Sequence, residues 1–186
     1  MPKVIDDKDV FRATIEVLSA YGYEGATTKN IADASGIHEA TLFRKYGSKF
    51  ELIEKALRVL FLEVPLAKLS YTGDLQADLL SIVEAYLETS EIVGNVLAIL
   101  LIEIPRDPKL KKLFEVPSKN IARAINIFEQ YQTQKKLKQE PLLQSLSVLW
   151  GPLMVRHLIK QTDLDFPVPS IEPQVLVDNF LHGRMT

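Results

Sequence analysis

The sequence predicts an all-α protein, a small N-terminal helical domain followed by a larger helical bundle. Three observations carry this. Apolar residues recur at helical spacing wherever a period is clear, and no stretch alternates polar and apolar as a half-buried strand would. No proline falls between Pro2 and Pro65, while Pro105, Pro108, Pro117, Pro141, Pro152, Pro167, Pro169 and Pro173 punctuate the rest. With 186 residues, 47% of them apolar, the chain can bury one ordinary core or two small ones.

The first helix is expected over Asp7 to Tyr21, with Phe11, Ile15 and Leu18 as its stripe. Asp6, Asp7 and Asp9 favour its positive end, and Gly22 is placed to stop it. Thr28 is expected to N-cap a second helix that turns Ile31, Ala32 and Ala34 inward and stops at Gly36. A third short helix, His38 to Tyr46, follows at once, so the two make a helix-turn-helix. Ser48 caps a fourth, reaching about Val64, with Glu51 completing a capping box and Leu52, Ala56, Val59 and Leu60 facing inward.

Beyond Pro65 the pattern is a bundle. Leu75, Leu79, Val83 and Tyr86 form one stripe, and residues 92–104 are apolar almost all round, as in a central buried helix. Ile121, Ile125 and Phe128 mark another helix, residues 142–160 the longest apolar one, and a last helix follows Pro173. Pro152 removes a backbone donor inside the long helix and is expected to kink it. The domains expected are 1–47, a connecting helix 48–64, and 65–186.

Several chemistries are excluded. Without cysteine there is no disulfide framework, thiolate metal site or cysteine nucleophile. No nucleotide-binding glycine loop, nucleophile elbow or H-E-x-x-H occurs, and none of His38, His157 and His182 has a Glu three residues before it, as a di-iron bundle requires. Asp178 and His182 lie one turn apart, an ordinary helix contact. No enzyme activity, metal or cofactor is expected. The longest unbroken apolar run, Val96 to Ile102, is far short of a bilayer span, and the acidic start lacks a signal-peptide core. A cytoplasmic protein without membrane attachment is expected.

The net charge is −2, yet residues 27–49 hold Lys29, Arg44, Lys45 and Lys49 against Asp33 and Glu39, a local charge of +2. Thr28, Thr41 and Ser48 add hydroxyls near helix starts, where backbone N–H groups also meet phosphates. Over residues 10–60 the chain resembles the DNA-binding domain of the tetracycline-repressor (TetR) family. The resemblance rests on Tyr21-Gly22, Gly25, Thr27-Thr28, Ile31-Ala32, Ala34, Gly36-Ile37, Thr41-Leu42-Phe43, Tyr46, Ser48-Lys49 and Leu52.

That resemblance implies a homodimer on a palindromic operator in double-stranded DNA, with a C-terminal ligand-binding and dimerisation domain and release by a small apolar or amphipathic effector. By position, Thr28 and Lys49 are implied as phosphate anchors. Lys29, Glu39, Ala40 and Thr41 are implied as the base-facing set, with His38 beside them, and Arg44 and Lys45 as backbone contacts. Phe43 stands where the family commonly has Tyr, leaving apolar contact alone, and Glu39 stands where Lys is frequent; a carboxylate can accept from cytosine N4.

In the bundle, Tyr86, Phe128, Trp150, Met154 and His157 are candidate effector contacts, because Trp150 and His157 each carry a polar atom that needs a partner when buried. Residues 142–160 and 174–183 are the expected dimer surface, through Leu153, Val177, Phe180 and Leu181, since the long helix is apolar on more faces than one core covers. The alternative to a regulator is a helical carrier or interaction protein with a degenerate helix-turn-helix.

Overall fold

The computed structural model describes residues 6–162, 164–168 and 170–183. It is all-α, with no strand among the described residues. In order they form α1 (Asp7–Gly25), α2 (Thr28–Ser35), α3 (Glu39–Tyr46), α4 (Lys49–Glu63), α5 (Leu75–Val93), α6 (Val96–Glu103), α7 (Glu115–Thr133), α8 (Leu142–Lys160) and α9 (Pro173–His182). Short 3₁₀ turns cover Pro65–Lys68 and Pro108–Phe114.

Two compact units result. The first holds the chain up to Glu63 together with Val93–Ser118; the second holds Val64–Ile92 and Lys119–Thr186. Residues 93–118, assigned by sequence to the C-terminal bundle, pack with the N-terminal helices: α6 lies on α1, and the 3₁₀ turn Pro108–Phe114 lies on α4. Asn95 N–H donates to Ser19 Oγ at 2.9 Å, and Lys112 pairs with Glu54 at 3.1 Å. A short helix that follows a glycine break is free to leave the bundle it came from.

Helix α1 breaks at Gly22, directly after its expected end at Tyr21. Its hydrogen-bond ladder runs to Gly25, interrupted at Gly22 with φ 71° and ψ 178°. That backbone region is almost closed to residues with a Cβ. A Cβ at Gly22 would also approach Glu103 Oε1 to 3.3 Å. Gly22→Ala should therefore destabilise the protein by about 1–3 kcal/mol, read as a lower denaturant midpoint with unchanged slope; an unshifted midpoint would refute the strain.

The first unit's core is Val10, Ile15, Leu18, Ile31, Leu42, Leu52, Ile53, Leu57 and Phe61, each at most 2% exposed. The α4 stripe is offset from expectation. Ile53, Leu57 and Phe61 join Leu52 and Ala56 inside, while Val59 and Leu60 are half-buried. Ala34, expected inside, is exposed. Helix α6 is not a central buried helix either: Val96 and Leu100 are buried, but Leu101 and Ile102 are more than half exposed. A helix apolar on every face does not by its pattern choose which face to bury.

In the second unit Leu79, Ile82, Val83, Phe128, Tyr131, Leu149, Leu153 and Val177 are buried. On α7 the inward row is Ala124, Ile127, Phe128 and Tyr131, and Ile121 and Ile125 sit at its edge. A buried carboxylate organises this end. Asp78 accepts from Thr72 N–H at 2.9 Å, from Thr72 Oγ1 at 2.5 Å and from Tyr131 Oη at 2.5 Å. Burial pushes the Asp78 carboxyl up, yet these bonds outweigh it and hold it below the usual carboxylate range. Tyr131 also stacks on Tyr71, centroids 5.0 Å apart, so the loop after residue 68 is fastened to α7.

Helix α8 runs continuously through Pro152. By length and composition alone it could cross a bilayer, and 22% of its most apolar window is buried. Leu146, Leu149 and Leu153 face inward, while Val148, Val155 and Leu158 are exposed.

Candidate nucleic-acid interface and effector region

Helices α2 and α3 are built by punctuation. The N-cap of α2 is Thr27 rather than Thr28: Thr27 Oγ1 accepts from Asn30 N–H at 3.1 Å. A capping residue needs extended backbone, and Thr27 has it with ψ 154°, leaving Thr28 as the first helical residue. Gly36 ends α2 in the left-handed conformation, φ 67°, and makes the tight turn into α3. His38 precedes α3 without a side-chain cap bond. At α4 the capping box forms as expected, Ser48 N–H to Glu51 Oε2 at 2.8 Å and Glu51 N–H to Ser48 Oγ at 3.2 Å.

Leu42 and Tyr46 bury one face of α3. The opposite face is open: His38, Glu39, Ala40, Phe43 and Arg44 are exposed, Phe43 at 65%, and Thr41 is half-buried at the edge. An α-helix that shows one side chain face to solvent while the other is locked is what a major groove admits. Lys29 on α2 is also exposed.

Four expected contacts, Thr28, Glu39, Lys45 and Lys49, already have partners inside the chain. Thr28 Oγ1 donates to Glu39 Oε1 at 2.5 Å, linking the start of α2 to the start of α3. Lys45 pairs with Asp7, which also accepts from Tyr46 Oη. Those bonds, Lys45 first and Tyr46 second, hold the Asp7 carboxyl below its usual range. Burial, and then the bond to Asp7, drives the Tyr46 phenol well above its own. Lys49 Nζ donates to the Tyr23 carbonyl at 2.8 Å and lies 4.2 Å from that ring's centroid. Lys49 thus pins the start of α4 to the turn after Gly22.

Helical spacing does not disclose these ties, because Asp7 and Tyr23 are distant in sequence from Lys45 and Lys49. The acidic start of α1 was legible only as a helix-dipole partner.

Among the described residues Lys29 and Arg44 form no ion pair, so either charge is available to a phosphate. Arg44→Ala should weaken binding to every duplex alike and lower the salt slope by about one. A gel-shift series over salt concentration checks it, and an unchanged slope removes Arg44 from the backbone contacts.

In the second unit the expected effector contacts separate. Phe128 is fully buried and packs edge-on against Phe180, centroids 5.7 Å apart, so it is core rather than lining. Met154 is 43% exposed. Tyr86 and Trp150 do meet, with centroids 5.1 Å apart. Burial pushes the Tyr86 phenol up to about 12. Trp150 Nε1 and His157 Nε2 are both buried without a hydrogen-bond partner among the described residues. Buried polar atoms are satisfied in the great majority of cases, so two orphans two turns apart on α8 are notable.

The four residues expected at the dimer surface are not on a surface. Leu153, Val177, Phe180 and Leu181 are 1%, 0%, 3% and 7% exposed within the chain itself. Their apolar stripes are consumed by packing α8 and α9 into their own subunit. The exposed large apolar residues of the same helices are Leu143, Val148, Met154, Val155, Leu158 and Val175.

Comparison with known proteins agrees with the geometry. Residues 10–56 match the tetR family of bacterial regulatory proteins. The HTH-type transcriptional regulator YezE of Bacillus subtilis is 28% identical over 131 residues, 66% of this chain and 67% of that protein. YvkB, another HTH-type regulator of Bacillus subtilis, is 35% identical over 91 residues, 46% of this chain and 45% of its own. The TetR-family regulator PfmR of Thermus thermophilus superposes with a TM-score of 0.65 at 19% identity, over 93% of this chain and 97% of that one, which shows the shared fold. With its helix-turn-helix and its solvent-open third helix, the chain is similar over residues 10–56 to the tetR family of bacterial regulatory proteins, and it shares the fold of TetR-family regulators.

Proposed function

We infer that this regulator is a cytoplasmic repressor that binds a palindromic operator as a homodimer and is released by a small apolar or amphipathic effector. The observation that carries the reading is the open face of α3, where His38, Glu39, Ala40, Phe43 and Arg44 stand exposed on a helix whose other side is fixed. Dimerisation is supported by the exposed apolar row Val148, Val155 and Leu158 on α8, continued by Val175 on α9. The effector is supported by the orphaned Trp150 and His157 nitrogens beside Tyr86.

Glu39 enters this reading in a changed role. Its carboxylate holds the Thr28 hydroxyl, so reaching a cytosine requires that bond to be exchanged. The coupling element is α4, which starts at Lys49 beside the helix-turn-helix and ends at Glu63, one residue before the second unit begins.

The test is a gel shift with duplexes carrying palindromes from the DNA flanking the gene, across salt concentrations, while candidate effectors are titrated against Trp150 fluorescence. Salt-dependent binding to one palindrome, weakened 5- to 150-fold by a compound that operator weakens equally in return, supports the reading. Absence of any shift at low salt favours the carrier alternative.

A further inference from the structure

A second concave site lies away from the Tyr86–Trp150 region and shares no residue with it. A groove of about 420 Å³ runs along the outer face of α7, walled on the other side by the loop at Leu69–Tyr71. Its floor is apolar, from Leu69, Ala122 and Ile127, and Lys119 and Arg123 stand on its rim. The volume falls in the range of small-molecule sites, which combine an apolar lining with a few placed polar groups. Its stripe on α7, from 119 to 126, spans about 10 Å of helix.

Two features set this groove apart from a chance surface dent. Lys119 and Arg123 are one helical turn apart, so their like charges repel, and among the described residues neither makes an ion pair. The opposite wall is held rigid. Tyr71 stacks on Tyr131 and accepts from Gln134 Nε2 at 2.6 Å, and Tyr131 is tied in turn to Asp78. A preformed apolar floor beside two unneutralised cations is complementary to one kind of occupant, an apolar chain ending in an anion. We propose that this groove binds a small amphipathic anion, its carboxylate or phosphate between Lys119 and Arg123 and its apolar part on Leu69, Ala122 and Ile127. A folded partner is disfavoured by the groove's length of about two helical turns, too short for the repeated anchors of a docked helix.

Isothermal titration of the full-length protein with decanoate, below its micellar concentration, tests this. Decanoate should bind saturably, at least tenfold more tightly than decan-1-ol, and less tightly as salt is raised. The double variant Lys119→Gln with Arg123→Gln alters only exposed side chains and should unfold at the same temperature, yet weaken decanoate at least tenfold. Trp150→Phe should leave that affinity unchanged. The proposal is overturned by equal affinity in the double variant, by decan-1-ol binding as well as decanoate, or by an acidic peptide binding where decanoate does not. If Trp150→Phe alone abolishes binding, the ligand sits at the inferred effector position instead: this site is then refuted and that one supported.

Discussion

Val155→Asp should yield a folded chain that sediments as a monomer and has lost specific operator binding. Val155 is 53% exposed within its own subunit, so an aspartate there meets water and costs the monomer little. A partner helix laid over α8 would make the charge expensive, because it would then be buried without a counter-ion. The effect on DNA follows from geometry. Two half-sites about 34–36 Å apart are read together only by linked subunits, and losing the linkage forfeits an effective-concentration advantage of roughly 10²–10⁴. Val177→Asp is the internal control. It is fully buried, and its variant should unfold rather than dissociate. Analytical ultracentrifugation and circular dichroism on both separate interface from core. A Val155→Asp protein that stays dimeric would place the interface elsewhere.

That contrast also shows what the sequence discloses and what it withholds. The helix-turn-helix is legible because its bounds are set by local chemistry: hydroxyls that cap, a glycine that turns at Gly36, and a capping box at Ser48 and Glu51. Helical period also finds the apolar stripes of α8 and α9. It does not say which stripe a helix uses within its own subunit when two are apolar, as Leu146, Leu149 and Leu153 oppose Val148, Val155 and Leu158 on α8. On α9 the single strong stripe is claimed by the subunit's own core first.

Adjacent candidates are equally indistinguishable from pattern alone. Thr27 and Thr28 both carry the hydroxyl a cap needs, and backbone conformation selects the first. The ties from Lys45 to Asp7, Lys49 to Tyr23 and Thr28 to Glu39 depend on how α1, α2, α3 and α4 are placed, which no periodicity encodes. The chain thus holds four of its expected DNA contacts, Thr28, Glu39, Lys45 and Lys49, in internal bonds. If these residues contact DNA, those bonds must be exchanged on binding, whereas the proposed contacts of Arg44 and Lys29 need no such exchange.

Asp78→Asn should be the most destabilising conservative change in the second unit, by about 2–5 kcal/mol. Asp78 is 2% exposed and accepts three hydrogen bonds, one of them from a Tyr131 hydroxyl that is itself fully buried. An amide of the same size replaces one acceptor oxygen with a donor, which faces hydroxyls and an N–H that were donating. At least one buried donor is then left without a partner. The pH dependence has a definite sign. The folded-state pKa of Asp78 is lowered, so its stabilising contribution is complete above the unfolded value near pH 3.9 and is lost as pH falls through the lower folded value. The stability gap between the wild-type protein and Asp78→Asn should therefore be constant from pH 7 to about 5 and narrow below about 4, as the wild-type carboxyl takes up its proton. Urea titrations at several pH values measure the gap directly. Tyr131→Phe, which removes one donor and leaves the carboxylate its Thr72 bonds, should cost less. A gap that does not change with pH would mean that Asp78 acts through its shape rather than its charge, and the rigid wall at Tyr71 would then rest on packing alone.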